Sequence, residues 1–173
     1  MERYTEERII QRFALATFYF ATGGDEWFDN TQWLNYTSPH ECHWYSRNIW
    51  FRSKLRNFTV DTNDDASMME ETATGPCHEM ELFNASSNNS SAGVYQHLWL
   101  WENNLKGTLP PELYLLTSLS SLSLYSNAML EGSLSTLIGV LSNLKELAIA
   151  PTGLWGTLPT ELFALQNLTR LFL

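Results

Sequence analysis

A chain of 173 residues has room for one domain with a sizeable hydrophobic core. Its 19 acidic side chains against 10 basic ones leave a formal charge of −9, the opposite of the basic footprint by which nucleic-acid binders hold phosphates. No apolar run approaches the ~20 residues of a membrane-spanning helix. The opening Met1-Glu2-Arg3-Tyr4-Thr5-Glu6-Glu7 is charged, whereas a secretory signal starts basic and turns apolar.

Residues 5–22 read as a helix. Thr5 suits its N-cap, Glu6 and Glu7 suit the positive end of its dipole, and Gly23-Gly24 end it. Ile9, Ile10, Phe13, Ala14, Ala16 and Phe20 supply an apolar face, expected to lie on the core. A membrane-surface role would call for a basic polar face, which this helix lacks. Trp27, Trp33 and Trp44 follow. Aromatic rings of this size are expected to pack into the core, with sugar stacking as the functional alternative.

Residues 47–93 form a polar insert and linker. Arg47, Arg52, Lys54 and Arg56 come first, then 61–81 holds seven Asp and Glu without one Lys or Arg. This reads as a solvated loop whose halves attract each other. Asp61-x-Asn63-x-Asp65 opens like a calcium loop, but Ala66 stands where such a loop turns on Gly, and Thr72 where it ends on Glu. His40, Cys42, His43, Cys77 and His78 offer zinc-type ligands at irregular spacing. Neither pattern supports a metal site, and none is expected. The Ser/Asn-rich stretch 84–93 is a flexible polar link.

The last eighty residues repeat one phrase. It runs Leu98-x-Leu100-x-x-Asn103-x-Leu105-x-Gly107-Thr-Leu109-Pro110, then Leu113, Leu116 and Leu119. It returns from Leu122 and from Leu147, and starts again at Leu171, in steps of 24, 25 and 24 residues. Leu-x-Leu makes a short strand with both leucines on one face. The Asn that follows can hydrogen-bond backbone where the chain turns out of the strand. Gly107, Gly132 and Gly156 mark places where a Cβ would obstruct, and Pro110 and Pro159 end a second extended piece. The other leucines stack between units, each worth roughly 1.5–3 kcal/mol when fully buried. Two departures are local: Asn127 to Gly132 carries one extra residue, and Thr152 replaces the Asn of the third unit. A leucine-rich helix would not tolerate Gly and Pro inside every unit.

Over about 94–173 this phrase resembles the plant-type leucine-rich repeat family. The resemblance implies an α/β repeat fold, a right-handed leucine-rich repeat solenoid. Its parallel β-sheet would line the concave face, with 3-10 turns and loops on the convex side. Residues 1–46, with a helix and tryptophans before Cys42-His-Trp44, resemble the family's helical N-terminal cap, which covers the first unit's leucines. The cap's second cysteine normally follows within a few residues, whereas Cys77 lies 35 positions after Cys42. A Cys42–Cys77 disulfide is nonetheless expected, since two cysteines in a secreted chain usually cross-link.

Asn35, Asn57, Asn84, Asn88, Asn89 and Asn167 each begin an Asn-x-Ser/Thr glycosylation acceptor. These acceptors and the cap resemblance imply an extracellular or cell-surface setting, with a signal or anchor expected outside the chain. In this family the strand residues between and just after the leucines face the ligand. By register they are His97, Trp99, Trp101 and Glu102, then Ser121, Ser123 and Tyr125, then Glu146, and finally Arg170. Trp101 is expected beside Tyr125 and Trp99 beside Ser123, either as an exposed aromatic wall over a shallow trough or covered by the cap or the insert folding over them. No phosphate loop, nucleophile elbow or zinc-protease motif is present. The expected function is therefore non-enzymatic and cofactor-free: recognition of a protein, peptide or glycan. A structural or adhesive surface glycoprotein and an intracellular repeat scaffold are the alternatives.

Overall fold

A computed structural model describes residues 5–31, 33–34, 44 and 94–173. The fold is α/β. Among the described residues one α-helix, α1 (Glu6–Ala21), precedes seven strands: β1 (His97–Trp99), β2 (Lys106–Thr108), β3 (Ser121–Ser123), β4 (Asn127–Gly132), β5 (Glu146–Ala148), β6 (Thr152–Leu154) and β7 (Arg170–Phe172). All pairings are parallel, and the strands divide into a sheet of order β1-β3-β5-β7 and a sheet of order β2-β4-β6. Short 3-10 helices, Pro111–Leu115, Thr136–Val140 and Thr160–Ala164, connect the second sheet back to the first.

The register follows the sequence repeat. Leu98 pairs with Leu122, Leu122 with Leu147, and Leu147 with Leu171. Leu98, Leu122 and Leu147 turn inward and are fully buried with Leu100, Leu105, Leu113, Leu119, Leu124 and Leu130, whereas Leu171 in the last strand is exposed. Polar groups between units are satisfied in a repeating way. Ser120 N donates to Gln96 O at 2.8 Å, Lys145 N to Ser120 O at 2.8 Å and Thr169 N to Lys145 O at 2.9 Å.

Asn103 and Asn127 are buried where the chain leaves the first sheet. The Asn127 amide donates to Leu100 O at 2.8 Å and Leu124 O at 2.7 Å, while its Oδ1 accepts from Asn103 N at 3.1 Å and Leu105 N at 3.0 Å. One side chain thus satisfies backbone groups of two successive units, which explains an Asn at a position with no room for water. Thr152 reaches only its own turn, accepting from Leu154 N at 3.3 Å. The extra residue of the second unit falls in β4, whose pairing with β6 shifts register between Asn127 and Glu131.

Gly107, Gly132 and Gly156 all adopt positive φ, at 82°, 95° and 96°. That backbone conformation alone favours glycine. At Gly107 there is a second reason, because a Cβ would come within 2.6 Å of Ala21 O at the end of α1.

The helix begins and ends as expected. Thr5 Oγ1 accepts from Arg8 N at 3.3 Å, and Gly23 follows the C-cap Thr22 with φ of 70°. The face it buries is different. Gln11, Ala14, Leu15, Phe18 and Tyr19 are buried, whereas Ile9, Ile10, Phe13 and Phe20 are exposed. Both sets have helical spacing, so α1 carries two apolar faces, and the one holding Leu15 and Phe18 meets the first unit.

The helix joins the sheets through hydrogen bonds as well as packing. Lys106 N and Trp27 Nε1 donate to Thr22 O at 3.0 and 2.9 Å, and Asp29 N donates to Asn103 Oδ1 at 2.8 Å. Tyr95 N donates to Gln11 Oε1 at 2.6 Å, which accounts for the one polar residue on the buried face of α1. Trp27, Trp33 and Trp44 are buried, with the Trp27 and Trp33 rings edge to face at 4.9 Å. Their area goes to the core, and the rings are not presented for stacking on a sugar.

Candidate binding face

The sheet β1-β3-β5-β7 turns its leucines inward, so the alternate residues form an outward face. Strand register lines up two columns on it. His97, Ser121, Glu146 and Arg170 form one; Trp99, Ser123, Ala148 and Phe172 form the other. Trp99 therefore stands beside Ser123, as its spacing implied. Just beyond the strands the rings of Trp101 and Tyr125 stack at 5.4 Å with planes 2° apart.

A polar chain crosses all four strands. Trp99 Nε1 donates to Ser121 Oγ at 2.6 Å, Ser121 Oγ donates to Glu146 Oε2 at 3.4 Å, and Arg170 Nη2 donates to the same Oε2 at 2.8 Å. Glu146 is thereby held from both sides, and the guanidinium keeps most of its donors for solvent. His97 lies 5.1 Å from the Trp99 ring, and its Nδ1 is 3.4 Å from Ser120 Oγ. Glu102 is exposed on a left-handed residue with φ of 51°, where its N–H donates to Tyr125 O at 3.1 Å.

Two placements differ from the expectation of an open aromatic wall over a trough. Trp101 is only 2% exposed, so its ring belongs to the packed structure and not to a free surface. Ser121, Ser123 and Ala148 are also buried, and Ser121 is engaged by the Trp99 indole reaching over from β1. What the face presents to solvent is half-buried His97, Trp99, Tyr125 and Glu146 and, beyond them, exposed Glu102, Arg170 and Phe172. The Ser121 link between Trp99 and Glu146 went unread in the sequence, although the 24- and 25-residue steps place these residues on neighbouring strands.

Of the glycosylation acceptors, Asn167 is described. It is exposed in the turn after the last 3-10 helix, and its Nδ2 donates to Ser142 O at 2.8 Å. Asn143 makes the same contact one unit earlier, to Thr117 O at 3.0 Å. Asn35, Asn57, Asn84, Asn88 and Asn89 lie outside the described residues, as do Cys42, Cys77 and the calcium- and zinc-like stretches. Among the described residues no group of three or more His, Cys, Asp or Glu is placed to hold a metal ion. No helix among them is long and apolar enough to cross a membrane. In comparisons with known proteins, no family model and no curated protein matches this chain.

Proposed function

We propose that the chain is a leucine-rich repeat recognition module of the plant type. Its coils form a right-handed solenoid, capped by the α1 region, and its β1-β3-β5-β7 face binds a protein, peptide or glycan ligand. It works at the cell surface or outside the cell, with glycans on its acceptor asparagines and a Cys42–Cys77 disulfide, and it performs no chemistry of its own. The observation that carries this reading is the face itself. Four strands in leucine register hold Trp99, Ser121, Glu146 and Arg170 in one hydrogen-bonded line. Such a line fixes side-chain geometry before a ligand arrives, which lowers the ordering cost of binding. Aromatic and arginine side chains are also those that dominate binding energy at interfaces.

The test uses the chain secreted from a eukaryotic host behind a supplied signal peptide and screened on peptide and glycan arrays. For a ligand so found, Trp99→Ala and Arg170→Ala should each weaken binding by on the order of tenfold or more. Trp155→Ala, exposed away from this face, should leave it unchanged. Equal binding by all three variants would move the site elsewhere. Intact mass before and after deglycosylation and reduction tests the setting, and bare acceptors with free thiols would overturn it.

A further inference from the structure

Helix α1 shows solvent a second apolar face, opposite the one on the core. Ile9, Phe13 and Phe20 are 57%, 54% and 65% exposed, and with half-buried Ala16 they fall at i, i+4, i+7 and i+11, a single stripe along the helix. Ile10 borders it at 39% exposure. A helix that is apolar on both sides is normally covered on both, and contiguous apolar surface of this kind marks an interaction site.

From this stripe we infer that α1 is the interface of a homodimer, formed by two copies of the helix packed antiparallel about a two-fold axis. The spacing is self-complementary. Laid antiparallel, Ile9 meets the partner's Phe20, and Phe13 meets the partner's Ala16. At each crossing a large ring thus faces a smaller side chain, and the same contacts recur on the other side of the axis, as an isologous interface requires. The contact consists of a few exposed apolar side chains from each copy, a small interface of the kind that belongs to weak, concentration-dependent association. A membrane surface fits poorly, since the exposed acids Glu6, Glu7, Asp25 and Glu26 stand at the two ends of the stripe. Each copy carries a net charge of −9, so repulsion opposes an apolar contact, and added salt strengthens the dimer by screening it.

The experiment is sedimentation velocity of the full chain over about a hundredfold range of concentration, at low and high salt. The expected result is a shift from one to two copies as concentration rises, at several-fold lower concentration in high salt. Phe13→Glu and Phe20→Glu should each abolish the shift while keeping the wild-type circular dichroism spectrum and melting temperature. Trp155→Glu, which alters an exposed apolar residue outside the helix, should dimerise as wild type does. A wild-type chain that stays monomeric throughout overturns the inference. So does loss of the dimer in Trp155→Glu alone. If Phe13→Glu and Phe20→Glu both unfold the protein, the stripe is covered within the chain, and the inference fails in that way too.

Discussion

Tyr114 is buried in the core, and its hydroxyl makes no hydrogen bond of ordinary geometry, although the backbone of Ser135 is close enough to act on it. Burial favours the neutral phenol and raises its pKa above 10.0, an effect offset in part by the backbone of Ser135. A raised folded-state pKa gives stability that is present below the unfolded value and lost as pH climbs through the folded one. Tyr114→Phe removes both the unpaired hydroxyl and its titration. It should add about 1 kcal/mol at neutral pH and a larger margin above about pH 10. Urea unfolding of both proteins at neutral and alkaline pH checks this, and a variant less stable at both would show that the hydroxyl is satisfied. Asn127 is the opposite case, a buried polar side chain whose donors and acceptor are engaged with two units at once.

At the scale of elements, the junction between α1 and β2 separates two glycines that look equivalent in the repeat. Gly107 needs its positive φ and also the absence of a Cβ against Ala21 O. At Gly156 a Cβ would meet nothing closer than Ser133 Cβ at 3.6 Å, an ordinary contact. Gly156→Ala should therefore cost only the backbone strain, about 1 kcal/mol. Gly107→Ala should cost at least about twice that, because the end of α1 must move as well. Denaturant midpoints give the comparison, and equal losses would mean that the helix end yields freely.

These elements also show which features could be read from the chain. The strands, their register and the turn glycines were legible because each recurs, and recurrence at fixed spacing distinguishes a structural position from a chance residue. The inward face of α1 was not. Ile9, Phe13 and Phe20 are as apolar as Leu15 and Phe18, and periodicity finds a stripe without saying which of two stripes meets the core. Gln11 even disguised the buried face, since its pairing with Tyr95 N spans 84 residues. On the sheet, the columns followed from spacing. The reach of the Trp99 indole across β3 is a matter of rotamer, which no pattern of residue types records.

The molecule as a whole joins helix and sheets through buried side chains and through backbone bonds at Thr22 and Asn103. They should melt together. Leu15→Ala, which empties a fully buried site on α1, should cost about 2–5 kcal/mol. Far-ultraviolet circular dichroism and tryptophan fluorescence should shift to the same lower midpoint. Separate midpoints would mean that α1 is an independent unit.

The pairing distances have a consequence for how such a chain grows. Every strand pair joins residues 22 to 25 apart, so closing the loop for each new pair carries nearly the same entropy cost, however many units stand before it. A unit copied whole into the repeat would meet neighbours of the shape it left, and the chain would lengthen without a new long-range contact to find. Duplication and loss of whole units are thus gentle changes to this fold. Insertion of a single residue has to be absorbed locally, and β4, which carries the extra residue of its unit, shifts register beside Asn127.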